Sequence, residues 1–142
     1  MAYNDAQKLK VVMSLEPDVY TNASTDGDSV DCKGYSSALA VFRVGTTDGN
    51  IDVLKLQESD NDSTWADISG AAWTGTDLPG NTDDDSTFAI SLDLRKRKRY
   101  LRWVVSEDNT GSADAVGFIV LGTPEAVEVA DQGADYYINL IG

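Results

Sequence analysis

The sequence predicts an all-β protein: a single antiparallel β-sandwich, jelly-roll-like or immunoglobulin-like, with extended N- and C-terminal arms. Apolar and polar residues alternate in several short runs, whereas the 3.6-residue period of amphipathic helices is nearly absent. Clusters of Gly, Asp, Asn and Ser separate these runs at the short intervals typical of antiparallel sandwiches. With 42% apolar residues, the 142-residue chain can build the core of one ordinary domain.

Seven runs rich in Val, Ile, Leu, Phe and Trp fit the composition and alternation of strands. In chain order they are Leu9–Leu15, Ala38–Val44, Ile51–Gln57, Thr64–Ile68, Thr87–Leu92, Tyr100–Ser106 and Val116–Leu121. Asp48–Gly49 predicts a hairpin between the second and third runs, because Asp-Gly fits the tight turns that join paired strands. Glu107–Ser112 likewise predicts a hairpin between the last two runs, and Glu58–Ser63 predicts a polar turn before Trp65.

The chain divides into three regions on this reading. Residues 1–17 form an N-terminal arm or the first strand, residues 18–122 form the sandwich core, and residues 123–142 form a C-terminal arm. The apolar end of this arm needs burial, because an exposed patch of that kind is costly. It either adds one more strand to its own sheet or docks on a neighbouring subunit. The candidate contact residues are Tyr136, Tyr137, Ile138 and Leu140.

The charge balance argues against nucleic acid and membranes as partners. Twenty-four acidic residues against eleven cationic ones give a net charge of −13, which repels phosphate-bearing surfaces. No apolar run is long enough to span a bilayer, and the N-terminus lacks the charged-then-apolar order of a signal peptide. We therefore expect synthesis in a reducing cytoplasm, with the single cysteine, Cys32, as a small buried thiol.

Six of the eleven cationic residues lie within eight positions, Arg95–Arg102. Strand alternation predicts that Leu101 and Trp103 point to the core and that Lys98 and Arg102 point outward. Three interpretations remain open: a solvated strand edge that deters edge-to-edge pairing, a contact with an acidic protein surface, or a nucleic-acid patch. The candidate residues for a protein contact are Arg95, Lys96, Lys98 and Arg102.

The residue types of common catalytic sites are missing or unspecific. The chain has no histidine, the most frequent general base and transition-metal ligand, and one cysteine cannot complete a zinc site. We expect no enzyme activity, no cofactor and no metal site, because the acid-rich turns lack the spacing of a calcium loop. Trp65 and Trp73 border loops, so a sugar-stacking surface of the kind found in carbohydrate-binding modules stays open.

Three motifs occur in an order that resembles small phage and prophage virion structural proteins, of the capsid decoration (cement) type. Residues 54–68, LKLQESDNDSTWADI, are similar to a hairpin of those proteins. Residues 97–104, RKRYLRWV, are similar to their Lys/Arg-rich start of a core strand. Residues 120–124, VLGTP, are similar to the end of their last core strand. The resemblance spans about residues 35 to 124.

The resemblance implies a non-enzymatic protein that binds the major capsid protein on the outer surface of the virion and reinforces the shell. It also implies a homo-oligomer, often a trimer, that is made in the host cytoplasm. The strong acidity and the aromatic C-terminus depart from the usual pattern of the family. A carbohydrate- or cell-surface-binding module of the virion, as in a head fibre or tail, is the alternative.

Overall fold

A computed structural model describes residues 5–21, 24–80, 82–122 and 134–141. It confirms the all-β sandwich, because two sheets pack face to face around one hydrophobic core. Within the described residues, 3₁₀ turns at Asp5–Lys8, Gly75–Asp77 and Leu94–Lys96 are the helical elements. The strands are β1 Lys10–Tyr20, β2 Ser24–Asp26, β3 Val30–Asp31, β4 Ser37–Thr47, β5 Ile51–Ser59, β6 Ala66–Ala72, β7 Thr87–Asp93, β8 Tyr100–Glu107, β9 Ala113–Gly122 and β10 Tyr136–Leu140.

The strand order is that of a jelly roll. Sheet 1 has the order β1-β9-β4-β7-β10, and sheet 2 has the order β2-β8-β5-β6, with β3 also paired to β8. The antiparallel pairs are nested: β1 with β9, β2 and β3 with β8, β4 with β7, and β5 with β6. This is one long hairpin rolled over into two sheets, which resolves the jelly-roll and immunoglobulin-like alternatives in favour of the jelly roll.

Two of the predicted hairpins are wrong. β4 lies in sheet 1 and β5 in sheet 2, so the Asp48–Gly49 turn carries the chain from one sheet to the other. The Glu107–Ser112 loop does the same between β8 and β9. The two corners lie side by side, where the backbone N–H groups of Asp48 and Gly49 donate to the carbonyl of Ser112 at 3.0 and 3.2 Å. The β5–β6 connection, by contrast, is a true hairpin within sheet 2.

Some strands were missed or are longer than predicted, because apolar and polar residues do not alternate in those parts of the sequence. The short strands β2 and β3 were not predicted, because β2 consists of Ser, Thr and Asp, which favour turns, and β3 contains just Val30 and Asp31. β6 continues through Gly70 to Ala72, beyond the end of the predicted run Thr64–Ile68. β1 continues through Pro17 with register shifts after Met13 and Leu15, and a proline is tolerated there because β1 is an edge strand.

The core is centred on Trp103, which is fully buried as predicted. Its ring stacks on Trp73 with centroids 6.2 Å apart and packs against Phe42 at 5.8 Å. The indole Nε1–H donates to the carbonyl of Phe118 at 3.3 Å, so its polar atom is satisfied. The side chain thus joins β8 of sheet 2 to β4 and β9 of sheet 1.

Gly117 on β9 provides the space that the Trp103 ring occupies. A Cβ atom at residue 117 would lie 2.9 Å from Cδ1 of Trp103 and 3.2 Å from Cβ of Leu15. Gly117→Ala is therefore expected to lower the free energy of unfolding by about 1–3 kcal/mol through overpacking. Chemical denaturation monitored by tryptophan fluorescence measures this change.

Gly45→Ala on β4 is the matched control, because a Cβ atom there meets its nearest neighbour at an ordinary 3.5 Å. Its unfolding midpoint should stay close to that of the unchanged protein. Equal stability of the two variants would contradict the packing described for Trp103.

Candidate functional site

The cation-rich stretch Arg95–Arg102, which we call the basic segment, begins after the end of β7 and runs into β8. Asp93 caps the 3₁₀ turn Leu94–Lys96, and its carboxylate accepts the backbone N–H of Arg95 at 3.1 Å. The same carboxylate accepts the Arg95 guanidinium in bidentate fashion, from Nε and Nη2 at 2.9 Å each. The first cation of the segment is therefore paired with the residue that starts its turn.

The strands that flank β8, and the turn after one of them, supply carboxylates to Arg97, Lys98 and Arg99. β3 brings Asp31 to Arg99, with bidentate hydrogen bonds of 2.9 and 2.8 Å. β5 brings Glu58 within 3.7 Å of the Arg97 guanidinium. The β5–β6 turn places Asp60 at 3.9 Å from Nζ of Lys98. These partners are up to 68 residues away in the sequence.

Arg102 lies on the solvent-exposed side of sheet 2, where it is held by several contacts. Its Nε and Nη2 donate to the side-chain oxygen of Gln57 at 3.0 and 2.7 Å, and Nη2 lies 3.4 Å from Asp26. The guanidinium also covers the Trp65 ring, with Cζ 4.2 Å from the centroid, as in a cation–π contact. Lys55 pairs with Asp67 at 3.0 Å on the same face.

The basic segment is thus almost neutralised by the chain itself. Among the described residues, five of its six cations each have a carboxylate partner, and Lys96 is exposed without one within 4.0 Å. Hydrogen bonds from the arginines Arg99 and Arg95 lower the pKa values of Asp31 and Asp93, respectively, to about 2. Little net positive charge is therefore left in the segment for an electrostatic contact with another molecule.

Beside the segment lies a surface depression of about 380 Å³. Cys32 is at its base, and burial raises the pKa of this thiol to about 12, which keeps it protonated and unreactive. Four cations surround the depression, and three of them are engaged in the ion pairs just described. The lining residues are Cys32, Lys33, Gly34, Tyr35, Leu94, Arg97, Lys98 and Arg99.

The described part of the C-terminal segment is a strand of the chain's own sheet. β10 pairs in parallel with β7 at the edge of sheet 1, the first of the two alternatives that the sequence left open. Tyr136 stacks on Phe88 with ring centroids 4.4 Å apart, and the Tyr137 hydroxyl lies 2.7 Å from the Ser91 hydroxyl. Ile138 and Leu140 pack against the core. Residues 123–133 and 142 lie outside the described residues.

The outer face of sheet 1 is apolar across its first three strands. On β1, Val11 is 66% exposed and Met13 is 38% exposed. β9 and β4 continue the surface with half-exposed side chains, because their alternate residues fill the core. We call this surface the outer face; it comprises Val11, Met13, Leu39, Val41, Val116, Phe118 and Val120.

The outer face was not predicted from the sequence, although a pattern that indicates it is present in two strands. A sheet with one solvated face is built from alternating strands, whereas residues 38–42 (ALAVF) and 116–121 (VGFIVL) are nearly continuous apolar runs. Such runs indicate strands with two apolar faces. In a two-layer sandwich the partner sheet covers one face of each sheet, so sheet 2 does not cover the outer face of sheet 1.

The candidate sites for sugars and cations are not supported by the geometry. Trp73 is buried in the core, and Trp65 is covered by Arg102, so the two rings form no common platform. In the described part of the chain, no cluster of three or more Asp, Glu or Cys side chains is arranged to hold a metal ion. No helix among these residues has the length and apolar character needed to cross a membrane.

Neither a protein family nor a curated protein sequence matches this chain. A solved structure of the infectious bursal disease virus Gx strain is similar, with a TM-score of 0.43 and 11% sequence identity. The match covers 84% of this chain and 33% of that one, so the chain spans about one third of the length of that viral chain.

The ion pair of Arg99 with Asp31 predicts a specific acid dependence of stability. The folded-state pKa of Asp31 lies below its ordinary value of 3.8, so the pair stabilises the protein fully above pH 4. This contribution disappears as the pH falls towards 2. Asp31→Asn should therefore lower the melting temperature at pH 7, and its curve should converge with that of the unchanged protein near pH 2.

Thermal unfolding followed by circular dichroism between pH 7 and pH 2 measures this convergence. Asp52→Asn is the control, because Asp52 is exposed on β5 and has no ion pair among the described residues. A difference between Asp31→Asn and the unchanged protein that is as large at pH 2 as at pH 7 would refute the assignment.

Proposed function

We propose that this chain is a non-enzymatic structural protein of a virus particle, of the capsid decoration type. In this role it binds the outer surface of the major capsid shell and reinforces it, as an oligomer that carries no cofactor. The proposal extends the motif resemblance to phage proteins, which implies such a role and a trimeric state.

The outer face is the observation that carries the proposal. It is a surface of aliphatic side chains, one methionine and one phenylalanine on three neighbouring strands, and exposed apolar patches of this kind mark protein contacts. Sheet 2 shows how a solvated face of the same chain looks, since its outer side chains include Lys55, Gln57 and Arg102 in polar networks. The difference between the two faces favours an assembly role.

The first two of the resembling motifs are in direct contact, which gives their common occurrence a physical reason. Glu58 of the first motif accepts the backbone N–H of Lys98 of the second at 3.1 Å and pairs with Arg97. Trp65 of the first motif lies under Arg102 of the second. Because these residues stabilise the fold around β5 and β8, the resemblance supports a shared scaffold more directly than a shared binding site.

Within this role, we expect Lys96 and Lys98 to contact an acidic patch of the capsid. Both are exposed, and Lys96 has no ion-pair partner among the described residues. Arg95 and Arg102 are engaged with Asp93 and Gln57, so they would have to exchange partners to take part. The electrostatic contribution is therefore small and serves orientation rather than affinity.

Co-sedimentation of the purified protein with bare capsids, with the copy number per particle measured, tests the proposal. Saturable binding at a copy number proportional to that of the major capsid protein is expected. Binding of a few copies per particle would point to a fibre, tail or vertex component. Absence of binding would refute the decoration role.

Lys96→Glu should weaken capsid binding about two- to fivefold, the effect of one exposed charge at the rim of an interface. Lys10→Glu, which changes an exposed lysine on β1, is the matched control and should bind as the unchanged protein does. Equal binding by all three proteins would show that the basic segment has no part in capsid attachment.

A further inference from the structure

A surface depression of about 390 Å³ lies at one end of the outer face, over the start of β9. We call it the β9 depression. Its lining comes from three neighbouring strands, β1, β9 and β4, where the apolar rows of the outer face end at Val116. It opens on the solvent side of sheet 1, because Val19, Arg43 and Asp114 are exposed, whereas the residue that follows each of them belongs to the core.

A β-bulge at Gly45 forms the floor of the β9 depression. Gly45 and Thr46 of β4 together lie opposite the single residue Asp114 of β9. The carbonyl of Gly45 accepts the backbone N–H of Asp85 at 2.9 Å, which holds the bulge in place. The backbone does not require glycine here, because the φ angle of Gly45 is outside the left-handed region and a Cβ atom would meet Asp114 at an ordinary 3.5 Å. The missing side chain therefore leaves a space in which another group can approach the strand closely.

Two carboxylates border the β9 depression. Asp18 and Asp114 both line it, and neither has an ion-pair partner within 4.0 Å in the described part of the chain. Arg43 is directed to the opposite side of β4, where its guanidinium donates to the hydroxyl of Thr87 on β7 at 2.5 Å. The depression thus presents negative charge that the cation beside it does not neutralise.

An arginine side chain combines the properties that this geometry requires. Its aliphatic stem packs against apolar groups, here Pro17, Val19 and Val116, while its charged end stays near water. Its planar guanidinium donates several hydrogen bonds in a fixed fork that matches carboxylates, and it is more weakly hydrated than the ammonium group of lysine.

We infer that the β9 depression receives an arginine side chain from the capsid surface to which the outer face binds. The inference rests on the proposed function and adds to it the register of the contact. Apolar burial along the outer face supplies the affinity, and one arginine between Asp18 and Asp114 fixes the orientation at one end.

A titration with a small arginine compound tests the depression without capsids. N-acetyl-arginine methylamide is added to the isotope-labelled full chain, and the backbone amide signals are followed by NMR. The signals of Val19, Gly45 and Asp114 should shift and saturate, with a dissociation constant on the order of 10 mM, because one side chain gives a weak interaction. N-acetyl-citrulline methylamide is the control compound, since it has nearly the same shape without the charge. It should bind at least about fivefold more weakly.

Two variants locate this binding at the depression. Gly45→Val should abolish the shifts, because the new side chain fills the space over the bulge, and valine suits a strand. Asp114→Asn should weaken binding of the arginine compound about two- to fivefold. Asp52→Asn is the matched control, because it removes an equal charge from an exposed position on β5 and should bind as the unchanged protein does. Thermal unfolding followed by circular dichroism shows that each variant is folded.

Equal binding of the citrulline compound would overturn the inference, and so would the absence of shifts at the depression. Binding that is unchanged in a folded Gly45→Val variant would do the same. If Gly45→Val does not fold, Asp114→Asn decides the question, because equal binding by this variant and by Asp52→Asn contradicts a contact with Asp114.

Co-sedimentation with bare capsids then tests the origin of the arginine. Asp114→Asn should bind capsids about two- to fivefold more weakly than Asp52→Asn and the unchanged protein. Equal capsid binding by all three proteins would overturn the assignment of the arginine to the capsid. Failure of the unchanged protein to bind capsids would refute the decoration role, whereas the titration decides separately whether the depression binds arginine.

Discussion

Trp103 reaches from an inner strand of sheet 2 to β9 of sheet 1, where Gly117 leaves room for its ring. The main chain of Trp103 is fixed as well, because its backbone N–H donates to the hydroxyl of Ser14 on β1 at 3.0 Å. Ser14 in turn donates to the carbonyl of Asp28 at 2.9 Å. One buried side chain thus sets the position of β8 between β2 and β3 on one side and β5 on the other. The ion pairs of the basic segment depend on that position.

The positive charge of the basic segment is largely compensated once the chain is folded. In the sequence, six cations within eight residues suggest an electrostatic docking surface. In the structure, Asp26, Asp31, Glu58 and Asp60 come from strands and turns on both sides of β8 and pair with them. Exposed pairs of this kind contribute little stability each. Their larger effect is to remove the local positive field, so the surface that is left for binding is apolar.

The inward or outward direction of strand side chains depends on the local sequence pattern and was predicted correctly for β8. Leu101, Trp103 and Val105 alternate with outward residues, and all three are buried in the structure. The turn at Asp48–Gly49 was misassigned, because its dipeptide suits a corner between sheets as well as a hairpin within one. The acids that neutralise Arg97 and Arg99 are non-local and could not be assigned from sequence. The outer face was recognisable in principle, since β4 and β9 are apolar at successive residues.

The central claim is that this protein associates through apolar burial and not through its basic segment. The two mechanisms respond to salt with opposite sign. Salt weakens an attraction between the basic segment and an acidic surface, whereas binding through the apolar outer face should be unchanged or stronger at high ionic strength. The direct measurement is the dissociation constant for bare capsids between about 0.05 and 1 M salt, the range over which screening changes most. A constant or falling value agrees with the account, and a value that rises tenfold or more would contradict it.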